Sequence, residues 1–163
     1  MKSRPDRGSH LPVLMKLIGM TSGPILELGC GMYSTTYLHW ACYPSKRLIT
    51  TCESKDEWIG FARQFETDFH KVIHVPNWDL LDLSASWSIA LVDHAPDERR
   101  IEEIKRLTHA EYIVAHDADN RRERKYNYRT VRHLFKYRTT YAGAHPNTAI
   151  FSNIHDLANF EVK

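Results

Sequence analysis

The sequence is poor in cysteine, glycine and proline: its 163 residues include three cysteines, seven glycines and seven prolines. Cys30, Cys42 and Cys52 form neither an even disulfide set nor a C-x-x-C pair, which argues against a stapled secreted scaffold and against a cysteine-ligated zinc module. A reducing, cytoplasmic setting is therefore expected. So little glycine and proline excludes collagen-like and low-complexity chains. Long apolar runs are missing too. Lys16 interrupts the best early candidate, Leu11 to Met20, and a membrane helix needs ~20 apolar residues, so no membrane partner is expected. That stretch also lacks the apolar centre and small-residue cleavage site of a secretory signal, and it reads as a first helix. Charge of one sign is scarce as well. Twenty-two Lys and Arg against 20 Asp and Glu leave +2, far from the balance of a dedicated nucleic-acid domain, although nucleic acid is not excluded as a partner.

What is present suits a packed globule. Hydrophobic residues make up 42% and aromatics 11%, enough to build a core, and the 26% charged residues are balanced in sign, which argues against disorder. No internal repeat, flexible linker or shift in composition divides the chain. One domain over residues 1–163 is the expectation, and a homo-oligomer is compatible with it.

From residue 25 onward, short apolar runs alternate with stretches of helical periodicity, the pattern of a parallel sheet covered by helices. Pro24 to Leu28 reads as the first strand and Ser34 to Tyr43 as the helix after it, with Ser34 or a neighbour as its cap. Arg47 to Cys52 is a second strand, and Trp58, Phe61, Ala62 and Phe65 then recur at helical spacing. Lys71 to Val75, Trp87 to Val92 and Glu111 to Ala115 are the next strands, with a helix from about Asp97 to Leu107 between the last two. Tyr137 to Ala142 and Thr148 to Ser152 flank a turn-prone Gly143-Ala144-His145-Pro146-Asn147 segment and predict a closing hairpin. The fold class is therefore α/β.

In such a sheet, ligands bind beyond the carboxyl ends of the strands. There the first strand releases Gly29-Cys30-Gly31, two glycines placed where the backbone must turn tightly and approach a ligand without Cβ obstruction. Glu27 lies in that strand. Glu53 ends the next one, where an acid can accept hydrogen bonds from ribose hydroxyls. A dinucleotide fingerprint wants a third glycine where Ser34 stands, which disfavours a nicotinamide cofactor and an NAD-dependent oxidoreductase.

The segment Glu27-Leu28-Gly29-Cys30-Gly31-Met32-Tyr33-Ser34 resembles the first motif of the class I S-adenosylmethionine-dependent methyltransferases. The resemblance runs from about Pro24 to Ser152 and takes in Glu53, the Val92-Asp93-His94 strand end and the C-terminal hairpin. It implies a Rossmann-like, mostly parallel seven-stranded sheet with helices on both faces and a C-terminal antiparallel hairpin. It further implies S-adenosylmethionine as cofactor, held by Glu27, Gly29, Cys30, Gly31, Ser34, Glu53 and Asp93, with Asn77 and Trp78 flanking the adenine.

Two more strand ends carry acids and histidines: Asp93-His94, and His116-Asp117-Ala118-Asp119-Asn120. Carboxylates from neighbouring strands can share a hard cation, with Asp93 and Asp117 as candidates. This resembles the catechol O-methyltransferase branch. However, Ala118 stands where that branch has asparagine, its lysine base is replaced around Pro96, and the first strand starts near residue 25, whereas that branch carries extra N-terminal helices that shape its acceptor pocket. A divalent metal is thus compatible, but no ligand set is assigned. Without metal, His94 or His116 can take an acceptor's proton. Asp93, His116 and Asp117 are the catalytic candidates. Arg121, Arg122, Arg124 and Lys125, with Tyr126 and Tyr128 interleaved, suit an anionic acceptor, whereas Arg99 and Arg100 read as helical ion-pair partners of Glu102 and Glu103. The expected activity is methyl transfer to an oxygen or nitrogen nucleophile of a small-molecule or anionic acceptor. A binding module without activity is the non-enzymatic alternative.

Overall fold

The computed structural model describes residues 5–162. The chain runs α1 (Leu11–Met20), β1 (Ile25–Leu28), α2 (Ser34–Cys42), β2 (Ile49–Glu53), α3 (Asp56–Ala62), β3 (His70–His74), β4 (Ile89–Val92), α4 (Arg100–Arg106), β5 (Tyr112–Ala115), α5 (Glu123–Tyr126), β6 (Tyr137–Tyr141) and β7 (Thr148–Ser152), with short 3-10 turns between. One seven-stranded sheet has the order β3-β2-β1-β4-β5-β7-β6. Its first five strands are parallel, and β7 runs antiparallel to both β5 and β6.

Every residue of β1, β4 and β5 is buried, as apolar runs covered on both faces must be. Alternate side chains enter two layers. Leu26, Leu28, Ala90, Val92, Ile113 and Ala115 pack with Ile104 of α4 and with Trp78 and Trp87. Ile25, Ile89, Leu91 and Val114 pack on the other face with Val13, Leu14 and Leu17 of α1 and Leu38 of α2. The expected architecture is therefore present, with helices on both faces and the closing hairpin in place. Differences are local. The helix expected over 97–107 opens as a 3-10 turn, Asp97–Arg99, before α4 begins. No side chain caps α2: Ser34 is its first residue, and Tyr33 stands at the cap position.

Register decides where the strands end. Leu28 pairs with both Cys52 and Val92, and Val92 pairs with Ala115. β1, β4 and β5 therefore stop in one row, and β2 runs one residue further, to Glu53. The ladder continues one step further through Gly29 N–H to Cys52 O, Asp93 N–H to Leu28 O and His116 N–H to Val92 O. Gly29, Glu53, Asp93 and His116 consequently emerge side by side at the carboxyl edge.

Arg47, just before β2, ties α1 to this sheet. Its guanidinium donates to the carbonyls of Gly23 (2.6 Å), Thr21 (3.0 Å) and Ile18 (3.3 Å) and to Thr21 Oγ1 (2.8 Å), satisfying acceptors at the helix end that have no partner within the helix. Arg47→Met keeps the stem but strands those carbonyls and should cost about 2 kcal/mol. A denaturant midpoint unchanged from that of the parent would overturn this assignment.

Candidate functional site

The row of strand ends opens into a cavity of about 520 Å³ between the loops after β1, β2, β4 and β5. In the strand order 3-2-1-4-5 the chain reverses direction of travel between β1 and β4, the place where crossover loops part and leave a crevice. Cys30, Gly31, Ser34, Glu53, Asp93, His116 and Asp117 all line it.

The glycine loop is held from below. The Gly31 N–H donates to Thr35 Oγ1 (2.9 Å), and that hydroxyl donates to Glu27 Oε2 (2.9 Å). Thr51 donates to the same carboxyl oxygen at 2.7 Å, and Ser34 also bonds Glu27. Glu27 itself is fully buried and does not line the cavity. Strand alternation turns it toward α2, so its expected contact with the cofactor is corrected to support of the loop. Burial pushes its carboxyl up to about 7 against the pull of these hydroxyls.

The two glycines differ in their reason for being glycine. Gly29 has φ +88°, and a Cβ there would lie 2.5 Å from His94 Cα and 2.7 Å from the Asp93 carbonyl carbon. Its missing side chain makes room for the β4 strand end, whereas the sequence had suggested room for a ligand. Around Gly31 a Cβ would meet only Ser34 Oγ, at 3.6 Å, so Gly31 is the glycine that faces open space. Glu53 clamps the loop from the side: Oε1 accepts from Ser54 N (2.7 Å) and Lys55 N (2.9 Å), and Oε2 accepts from Cys30 N (3.2 Å). The Cys30 thiol donates to Trp58 O (3.2 Å) and is held neutral by burial and by the nearby Glu27 and Glu53.

On the opposite wall, Asp93 presents one carboxylate oxygen to the Arg100 guanidinium (2.8 Å) and the other to His116 Nδ1 (3.2 Å). Burial alone would raise its pKa. Arg100 and His116 outweigh burial and hold it well below the usual carboxylate range. His116 Nε2 lies 2.9 Å from Ser9 Oγ, whose hydroxyl donates to Pro146 O (2.6 Å). Because the Ser9 proton is committed to that carbonyl, the network places a proton on Nε2 of His116 and turns its Nδ1 toward Asp93 and, at 3.7 Å, Asp117. Asp117, at φ +64°, accepts from Tyr126 Oη (2.8 Å) and pairs with Arg122.

Arg100 was the residue the sequence concealed. It is buried, donating to His94 O (2.8 Å) and Asp93 O (3.0 Å) and reaching Asp117 Oδ2 (3.4 Å), with the Tyr126 ring 4.5 Å away. Its ion-pair partners are acids of the site, not Glu102. The signal was available: Arg100, Glu103, Ile104 and Leu107 share one helical stripe, and all four are buried. His10, Arg7 and Asp6 of the segment before α1 also line the cavity, as does half-buried Trp58. Nothing in their local sequence marked them.

Other expectations fail on placement. Trp78 is 5% exposed, sits in the core and donates from its indole to Ala95 O (3.2 Å), and Asn77 caps the next turn. Neither lines the cavity. His94 is buried with Nε2 3.0 Å from Glu103 Oε2, a packing role rather than an acceptor's base. Tyr126 and Tyr128 are buried and stacked on each other (5.7 Å), so they are not open platforms for a base. Arg122 and Lys125 do reach the cavity wall, paired with Asp117 and Asp97 respectively.

No protein-family model and no curated protein matches the chain by sequence. Solved structures do match. A putative O-methyltransferase from Klebsiella pneumoniae is similar over 93% of this chain and 82% of its own, with 14% identity and a TM-score of 0.64. The Podospora anserina methyltransferase PaMTH1, bound to SAH, is similar over 93% and 79%, with 15% identity and a TM-score of 0.66. The catalytic domain of human METTL16, in complex with a MAT2A 3′UTR hairpin, is similar over 96% and 72%, with 13% identity and a TM-score of 0.65. The chain has the class I methyltransferase fold. In this methyltransferase fold the glycine loop, Glu53 and Asp93 share one cavity, and among the described residues no helix is long and apolar enough to cross a membrane.

Two tests follow from the loop. Gly29→Ala should cost about 2 kcal/mol or more, through its positive φ and its backbone collision, while Gly31→Ala should melt within a few degrees of the parent. Equal losses would reject the distinction. The second concerns Glu27. Between pH about 4.5 and about 7 the folded protein keeps a proton that the unfolded chain has released, so stability falls as pH rises through that window and levels off above it. Glu27→Gln should remove the fall, its stability relative to the parent gaining on the order of 3 kcal/mol across the window. Parallel stability curves against pH would overturn the raised pKa.

Proposed function

We propose that the chain transfers a methyl group from S-adenosylmethionine to an oxygen or nitrogen nucleophile of a small or anionic acceptor. The observation that carries this reading is the set Cys30, Gly31, Glu53, Asp93 and His116 around one cavity at the strand ends of a methyltransferase fold. The donor would lie along the glycine loop, with Gly31 leaving it room and Glu53 using the lone pair left on Oε2 for a ribose hydroxyl. Trp58, beside Glu53 on the wall, offers the aromatic surface that Trp78 does not.

In the transfer, the acceptor's lone pair attacks the methyl carbon opposite the sulfonium sulfur. The new bond forms as the C–S bond breaks, and the sulfur keeps the electron pair. Catalysis of such a step rests mainly on in-line positioning. The acceptor's proton would pass to His116 Nδ1, with Asp93 and Asp117 beside the positive ring. Arg7 and Lys55, exposed at the cavity mouth, favour an anionic acceptor. The hairpin bound to the METTL16 domain makes RNA one class of anion to include.

Calorimetric titration with S-adenosylmethionine, its demethylated product and NAD tests the reading. The donor or product should bind at about micromolar Kd, worth roughly 8 kcal/mol, with NAD silent, and Gly31→Val should weaken that binding at least tenfold while remaining folded. NAD binding alone would point to a redox enzyme, silence from all three to a module without this ligand, and unchanged affinity in Gly31→Val would remove the loop from the donor site.

A further inference from the structure

The cavity contains one polar cluster whose groups are not satisfied by one another. His10 is 1% exposed, and neither ring nitrogen has a hydrogen-bond partner among the described residues. Its ring stands edge-on to His116 at 4.6 Å between centroids. His116 Nδ1, also buried, has no hydrogen bond of good geometry among the described residues, and carboxylate oxygens of Asp93 and Asp117 lie at 3.2 and 3.7 Å. With Nε2 facing Ser9, His116 turns Nδ1 toward the two carboxylates. A buried imidazole with two idle nitrogens, as in His10, is costly unless something satisfies it.

We propose that His10, Asp93 and His116 form a binding site for a divalent first-row transition-metal ion of the zinc class. One ligand atom from each lies within 4.8 Å of the other two. Metal–nitrogen and metal–oxygen bonds of about 2.0–2.2 Å place ligand atoms roughly 3–4 Å apart, so small side-chain rotations close the site. Two imidazoles and one carboxylate select a borderline ion such as Zn²⁺, Co²⁺ or Fe²⁺ over Mg²⁺ or Ca²⁺, which prefer all-oxygen cages. This ligand set differs from the all-oxygen pairing of Asp93 with Asp117 considered from the sequence, and it depends on a histidine supplied by the segment before α1. Asp93, Asp117 and Asp119 set against Arg100 and Arg122 leave the surroundings one net negative charge. The second oxygen of Asp93 stays on Arg100, which orients the ligand carboxylate from behind.

Three protein ligands leave an open position toward the cavity. If the methyl-transfer reading holds, that position would take the acceptor's hydroxyl and favour its ionised form. The Nδ1 lone pair of His116 would then serve the ion in the loaded protein and a proton in the metal-free one.

The test begins with full-length protein dialysed against chelator and titrated with Co²⁺. The expected result is one ion per chain with the intense visible bands of four- or five-coordinate cobalt, displaced by Zn²⁺ and untouched by Mg²⁺. His10→Ala and His116→Ala should each weaken binding by at least about tenfold, and exposed His109→Ala should not. A spectrum no different from aqueous cobalt, Mg²⁺ competing as well as Zn²⁺, or unchanged affinity in both cavity variants would overturn the site. Should either variant fail to fold, ring resonances of His10 and His116 in the parent decide: cobalt must broaden both, and sharp lines on either refute the assignment. Ion binding needs no donor. Cobalt binding without S-adenosylmethionine binding would retain the metal site and reject the methyl-transfer reading, and the converse would do the opposite.

Discussion

A buried cation holds the working end of this molecule together. Arg100 is 4% exposed, and its guanidinium meets the backbone of Asp93 and His94 after β4, the carboxylates of Asp93 and Asp117, and the hydroxyl of Tyr128, which in turn donates to His116 O. A planar group with five fixed donors can join so many acceptors where lysine could not. Removing it would leave two carboxylates facing each other in a poorly solvated space. Arg100 bridges the acids of β4 and β5 from behind, and Arg122 adds a second positive charge on Asp117, which lets the carboxylates stand close to one another.

The glycine loop depends on a second buried group of opposite character. Glu27 reaches the loop through Thr35 and is pushed toward its neutral form by burial. The loop thus rests on hydroxyls and a carboxyl that need no solvent, while Glu53 holds its outer side with charge. A support below that burial pushes toward its neutral form and a charged clamp at the rim keep the dielectric cost inside the core small.

The strand order, both helical layers and the closing hairpin were legible in the sequence because each is a matter of period: alternating apolar runs, helical stripes and a turn-rich gap. Gly31, Glu53, Asp93, His116 and Asp117 were legible because strand ends converge. What sequence reasoning missed depends on direction and distance. Whether Glu27 points into the cavity or beneath it is decided by one step of alternation, and Trp78 and Trp58 exchange places because a tryptophan's neighbours in space are not its neighbours in the chain. Arg100 carries an ordinary surface residue's name on a buried stripe. His10 comes from a segment with no periodicity, and only the packing of α1 brings it to the site.

That last contact bears on the order in which the molecule assembles. Ser9 meets His116 across 107 residues of chain and Pro146 across 137. Contacts of such separation close the largest loops and form after local ones. The wall that His10 and Ser9 supply can be completed only once β5 is paired and the hairpin has folded back on it. A chain with most of the sheet formed but without these contacts lacks this wall of the cavity, so any ligand that requires the wall discriminates in favour of the finished fold and adds its binding energy to the stability of the whole.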